Sequence, residues 1–98
     1  MTNLQKIQKQ IYQNKIDKGF NITDIPLQFC LTQGELAEAF EAYRKKLPSV
    51  SEELADVAIY LFGLAEILGV DLEEEILKKM EKNSKRVYEK VDGVLKRV

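Results

Sequence analysis

Histidine and tryptophan are both missing from this 98-residue chain, and cysteine occurs once, at Cys30. With one thiol and no imidazole, a usual zinc site cannot be assembled. The Glu-x-x-His pairs of di-iron helical bundles are excluded for the same reason, and Cys30 has no base beside it to make it a nucleophile. A lone cysteine also forbids an intrachain disulfide, so the ordinary expectation is a buried free thiol in a reducing cytoplasm. Long apolar runs are missing too: the longest, Val57 to Ala65, stops at Glu66, well short of the roughly 20 residues that cross a bilayer. Met1 to Lys6 contains neither the apolar stretch nor the small-residue cleavage site of a secretory leader. The expectation is a soluble, cytoplasmic protein with no membrane partner. The two prolines and five glycines fall mostly at segment boundaries, and no stretch alternates apolar with polar residues for long. No sheet is therefore expected, and the fold class is all-α.

What is present, 45% hydrophobic and 32% charged residues, describes one globular domain over residues 1–98. So small a domain leaves much apolar surface uncovered, and pairing with another copy of itself is the simplest remedy. Four helices are expected. The first runs from Asn3 to Lys18 on the periodicity of Leu4, Ile7, Ile11 and Tyr12, with Gly19 as its stop. The second opens at Pro26, suited to a first turn that needs no N–H, and reaches about Lys46. Ser49 and Glu52 have the spacing of a capping box for the third, which ends at Gly69. Asp71 and Glu74 start the fourth, expected to continue to about Lys90. The third helix carries one charge between Val57 and Leu68 and reads as central. Three others cannot cover it on all sides, so the four-helix bundle is expected to be completed by homo-oligomerisation, as a dimer or a dimer of dimers. Gly63 within it suggests a close helix crossing, placed at the subunit interface.

Charge is divided along the chain. Residues 1–77 hold seven basic and thirteen acidic side chains, a balance of −6, whereas residues 78–98 hold eight basic and three acidic, a balance of +5. An anionic ligand with its own metal ion would fit between such halves. On the second helix Glu35 falls inside the apolar arc of Leu31, Leu36, Ala39 and Ala42, with Glu38 one turn on. On the third, Glu53 borders the stripe of Val57, Leu61 and Leu64, and Asp56 projects on its flank. Two like charges at 4 Å repel by about 4 kcal/mol at an effective dielectric near 20, so four carboxylates meeting between helices require a counter-ion. Magnesium, a hard cation with oxygen ligands that bridges carboxylates to substrate phosphates, suits them, with manganese as a substitute. Glu41 and Glu52 compete for individual ligand positions. Most glutamates lie on solvated helix edges; two pairs on consecutive helices, one of them on an apolar face, favour a site. On the fourth helix Lys79, Lys82, Asn83, Arg86 and Lys90 form a cationic stripe. Lys79 and Arg86 are candidates for phosphate contact and Asn83 for its orientation. With a pI near 5.5 and no aromatic residues interleaved in this stripe, nucleic acid is not the expected partner.

Three segments, Gly34-Glu35-Leu36-Ala37-Glu38, Glu53-Leu54-Ala55-Asp56-Val57-Ala58-Ile59-Tyr60-Leu61 and Lys79-Met80-Glu81-Lys82-Asn83-Ser84-Lys85-Arg86, resemble the MazG-like nucleotide pyrophosphohydrolases in order and spacing. The resemblance spans roughly Ile7 to Tyr88, and fourteen residues separate Glu38 from Glu53. It implies magnesium-dependent hydrolysis of a nucleoside triphosphate to monophosphate and pyrophosphate, as house-cleaning of the nucleotide pool. It further implies that Glu35, Glu38, Glu53 and Asp56 are metal ligands and catalytic residues, and that Lys79, Asn83 and Arg86 bind substrate. Where many members carry two further acids and a tryptophan-rich base pocket, this chain has Leu31-Thr32-Gln33 and no tryptophan. Phe20, Phe29, Tyr12 and Tyr43 are then the candidates for stacking on a base. A hydrolase of phosphoribosyl-ATP, which shares the scaffold, and a noncatalytic helical oligomer are the two alternatives.

Overall fold

A computed structural model describes residues 3–98; Met1 and Thr2, part of the segment read above for a leader, lie outside it. Four helices come first: α1 Leu4–Asp17, α2 Ile25–Arg44, α3 Val50–Ile67 and α4 Leu72–Ser84. The Asn3 side chain caps α1 by accepting from the Lys6 N–H at 2.7 Å. Gly19, at φ 74°, turns the chain out of the helix in the left-handed region that glycine enters without strain. Asp24 caps α2, with Pro26 in its first turn, and Asp71 caps α4 by accepting from the Glu74 N–H at 3.2 Å. The capping box expected at Ser49 and Glu52 does not form. Ser49 has ψ 2° and its side chain caps nothing, because the hydroxyl reaches the N2 and N3 amides only from an extended backbone.

α3 is the central helix, packed on α2 along one side and on α1 along another, while α4 packs on α1. That last contact is polar. Gln8 of α1, 1% exposed, donates to Glu66 Oε1 and to the Val70 carbonyl and accepts from the Leu72 N–H. Beside it the Leu4 N–H donates to Glu73 Oε1. Every hydrogen-bonding end of a buried amide is thereby used, which holds the start of α4 against α1.

Two expectations give way in the C-terminal region. The fourth helix stops at Ser84 rather than near Lys90, and the chain then forms an antiparallel hairpin, β1 Tyr88–Val91 with β2 Val94–Arg97. The fold is mostly helical, consistent with the all-α class, but the expectation of no sheet is corrected. Asp92 and Gly93 sit at φ 52° and 80°, the two positive values that a two-residue hairpin turn demands, and Asp-Gly between valines is its sequence signature. Arg86 and Lys90 consequently leave the helical stripe assigned to them: Arg86 follows α4 and Lys90 lies on β1.

The apolar interior is thin. Among the described residues the fully buried apolar side chains are Ala39, Ala42, Leu64 and Ala65. The radius of gyration, 16.7 Å, exceeds the about 13 Å of a compact chain of this length. Cys30 is exposed on the outside of α2 rather than buried as expected, because no element of this chain covers that side. Gly63 does mark a close approach, but inside the chain. A Cβ there would stand 2.6 Å from Cε of Lys15, so the glycine makes room for an α1 side chain and not for a second subunit. No helix among the described residues is long and apolar enough to cross a membrane.

Candidate metal centre

The helical spacing of α2 puts Glu35 and Glu38 one turn apart on the side facing α3, and Glu53 stands opposite in the first turn of α3. One carboxylate oxygen from each of the three lies within 4.8 Å of the others. Glu35 and Glu53 are half-buried and Glu38 is exposed. Asp56, one turn beyond Glu53 and exposed, stands outside the trio but inside its field. The Glu35 pKa is raised by burial first, then by the charges of Glu38 and Asp56, by a hydrogen bond with Glu38, and by the charge of Glu53. Each of these influences disfavours the Glu35 charge, and no basic side chain offsets them. A cluster of oxygen donors without nitrogen or sulfur, arranged so that negative charge is penalised, fits a hard divalent cation. Glu41, a competitor from the sequence, is paired with Arg44 and Lys45 of its own helix end and does not join the trio. Glu52 is exposed and does not join the cluster.

The basic residues gather separately. Lys79 of α4 has its pKa lowered chiefly by Arg86, then by partial desolvation and by Lys82 and Arg97, so four cations crowd at the junction of α4 and the hairpin. Asn83 lies one turn beyond Lys79, its carbonyl accepting from the Arg86 N–H. Among the described residues α4 packs chiefly on α1 rather than on the α2–α3 pair. A single chain thus brings the acidic residues together and the basic residues together, but does not bring the two groups to each other.

Next to the carboxylates is a cavity of about 460 Å³ between α1, α2, α3 and the α1–α2 connector. Its apolar wall includes Ile11, Phe20, Leu31, Ile59 and Tyr60. Leu31 is one turn before Glu35. Tyr60 links the two places electrostatically: its phenol pKa is raised by burial, then by Glu35, Asp56 and Glu38. Of the aromatic residues considered for stacking, Phe20 lines this cavity, though it is itself exposed, whereas Tyr12, Phe29 and Tyr43 do not line it.

One polar residue in the cavity wall escaped the sequence reading. Lys15 is 8% exposed, yet its Nζ donates to Gln28 Oε1 at 3.2 Å and lies 5.0 Å from the centre of the Tyr60 ring. Gln28, 2% exposed, is fixed in turn by donating from Nε2 to the Asn21 carbonyl at 2.7 Å. Burial lowers the Lys15 pKa. The available signal was positional: at i+4 from Ile11 and i+8 from Ile7, Lys15 continues an apolar stripe and faces inward.

Among known proteins, a sequence model of the MazG-like family matches residues 29–97. Neither a curated protein nor a solved structure gave a significant match.

Proposed function

The chain belongs to the MazG-like family, and on that premise we propose that it is a magnesium-dependent pyrophosphohydrolase, one domain over residues 1–98, converting nucleoside triphosphates to monophosphates and pyrophosphate in nucleotide-pool house-cleaning. The observation that carries this reading is the adjacency of two features: carboxylate oxygens gathered within 4.8 Å, and a cavity of about 460 Å³ beside them. That volume is in the range of small-molecule sites. Glu35, Glu38 and Glu53 would hold the metal, with Asp56 as the fourth ligand. When bound, the ion supplies Lewis-acid activation of a phosphoryl group and of water. The chain's own share is to aim oxygen donors at one point, to offer a glutamate that accepts a proton from the attacking water, and to seat the nucleoside against Phe20, Ile11 and Tyr60.

Lys79, Asn83 and Arg86 would bind the departing phosphates, and the packing of α4 on α1 supports their coming from a second copy. Leu36, Phe40 and Tyr43 on α2 and Leu54 and Leu61 on α3 are exposed, in a chain whose fully buried apolar side chains are few. A homo-oligomer would cover this face and bring a basic α4 towards the acidic cluster. Incubating the protein with a panel of nucleoside triphosphates and magnesium tests the reading. Monophosphate and pyrophosphate are expected; orthophosphate with diphosphate, or no turnover of any substrate, would overturn it.

A further inference from the structure

The cavity wall is drawn mainly from outside the family match. Ile7, Ile11, Phe20, Asn21 and Gln28 all line it and all precede residue 29, where the match begins. The carboxylates thus belong to the shared part of the chain, and the surroundings of the cavity to the part in which this chain differs. Lys15 is the cationic side chain of that wall, which it shares with the amides of Gln10, Asn14, Asn21 and Gln28. An ammonium has three N–H donors and no acceptor. One donor goes to Gln28, and the Tyr60 ring lies at 5.0 Å. No carboxylate among the described residues forms an ion pair with it. Gln28 cannot turn away to serve a ligand, because its own N–H₂ is committed to Asn21. The Lys15 stem lies over Gly63, in the space that a Cβ there would take. The result is an ammonium with one side-chain acceptor, Gln28 Oε1, in a wall that mixes apolar and amide side chains.

We propose that Lys15 is a specificity-determining residue, donating from Nζ to a carbonyl oxygen on the nucleobase, so that the cavity prefers keto bases to their amino counterparts. This rests on the reading of the cavity as the nucleoside pocket. A carbonyl gives the ammonium the acceptor it lacks. An exocyclic amine in the same place sets donor against donor and leaves a buried cation underpaired, the kind of mismatch by which polar sites discriminate strongly.

Two pairs of monophosphates test the chemistry, because UMP and CMP differ in a carbonyl against an amine at C4, and IMP and AMP at C6, with the adjacent ring nitrogen changing from N–H donor to acceptor in each pair. Calorimetric titration of the wild-type protein without metal should show UMP and IMP binding at least about tenfold more tightly than CMP and AMP. In Lys15→Met, which keeps the stem and removes the donors, both ratios should fall towards one. Equal binding within both pairs by the wild type, or tighter binding of the amino bases, overturns the proposal whether or not the variant folds. An equal loss of affinity for all four in Lys15→Met would assign the ammonium to the phosphate and overturn it too. Because these titrations require neither metal nor turnover, keto selectivity in a protein that hydrolyses nothing would sink the enzymatic reading alone. Turnover without keto preference would sink only this proposal.

Discussion

The carboxylate cluster and the cavity beside it handle charge in opposite ways. In the cluster, Glu35, Glu38 and Glu53 are drawn together by helix spacing, and among the described residues no basic side chain pairs with them. In the cavity wall, Lys15 is almost fully buried, yet the chain supplies its partners through Gln28, Asn21 and Tyr60. The first arrangement leaves like charges facing one another, and the second holds its ammonium in place with a single side-chain acceptor. A group that the fold leaves unsatisfied points to reactivity or ligand binding, whereas one that the fold secures at the cost of a glycine, as at Gly63, points to shape and selection.

This contrast is broken most decisively at the cluster. Glu38→Gln or Asp56→Asn should reduce pyrophosphate release at least about 100-fold, since loss of even an indirect partner of a metal ligand costs 10–100-fold. The metal-free variants should melt at the wild-type temperature or above it, because each substitution removes a repulsion that reaches about 4 kcal/mol for a close pair at an effective dielectric near 20. Full turnover in both variants would refute the ligand set. The next effect in size is that of magnesium itself. At about 100 times its dissociation constant a ligand of the folded state adds about 2.7 kcal/mol, and for a domain of this length the melting temperature should rise by roughly 10 °C or more. Sodium at matched ionic strength should not reproduce the shift, and absence of a magnesium-specific rise in a calorimetric scan would contradict a metal centre.

Two glycines sharpen the comparison at smaller amplitude. Gly63→Ala places a Cβ 2.6 Å from Lys15 Cε. The lysine can yield only by loosening its bond to Gln28, so a net loss of about 1–2 kcal/mol is expected in denaturant unfolding, with weaker keto selectivity alongside. Gly34, next to Glu35 and with nothing within 4 Å of an added Cβ, should respond in the other direction. Alanine there removes backbone entropy from a helix interior and should stabilise by about 0.5–1 kcal/mol. Equal responses at the two positions would mean that Lys15 is not wedged over α3 as described.

The sequence was informative where chemistry follows helical period. Glu35, Glu38 and Glu53 were legible because i, i+3 spacing on two successive helices needs no knowledge of packing, and three of the four helix starts were legible from Asn3, Pro26 and Asp71. The cavity was not legible, since it depends on how α1 packs on α3, and the stripe of Ile7 and Ile11 that turns Lys15 inward does not say that Gly63 lies beneath it. Cys30 failed as a core residue for a related reason: apolar neighbours on a helix do not reveal whether anything lies opposite them. The separation of the cations from the cluster was likewise hidden, because charge totals along a chain carry no information about which helix α4 packs against.

The C-terminal hairpin was different, for its signal was present and was outweighed. Val91-Asp92-Gly93-Val94 names the turn, but the lysines and glutamates before it prolonged a helical pattern past Ser84. Its contribution gives the smallest expected effect. Gly93, at φ 80°, should resist Gly93→Ala by about 1–2 kcal/mol, the cost of a left-handed backbone to a residue with a Cβ. Yet both strands are exposed along their whole length, so in a single chain the penalty should fray the hairpin and barely change the unfolding of α1 to α3. Amide exchange should therefore accelerate at Val91 to Arg97 while protection at Leu64 and Ala65 stays near wild type. If Gly93→Ala instead lowers the melting temperature of the whole protein together with its sedimentation coefficient, the hairpin is part of the assembly that covers α2 and α3, and the cations at its base are held where a neighbouring copy needs them.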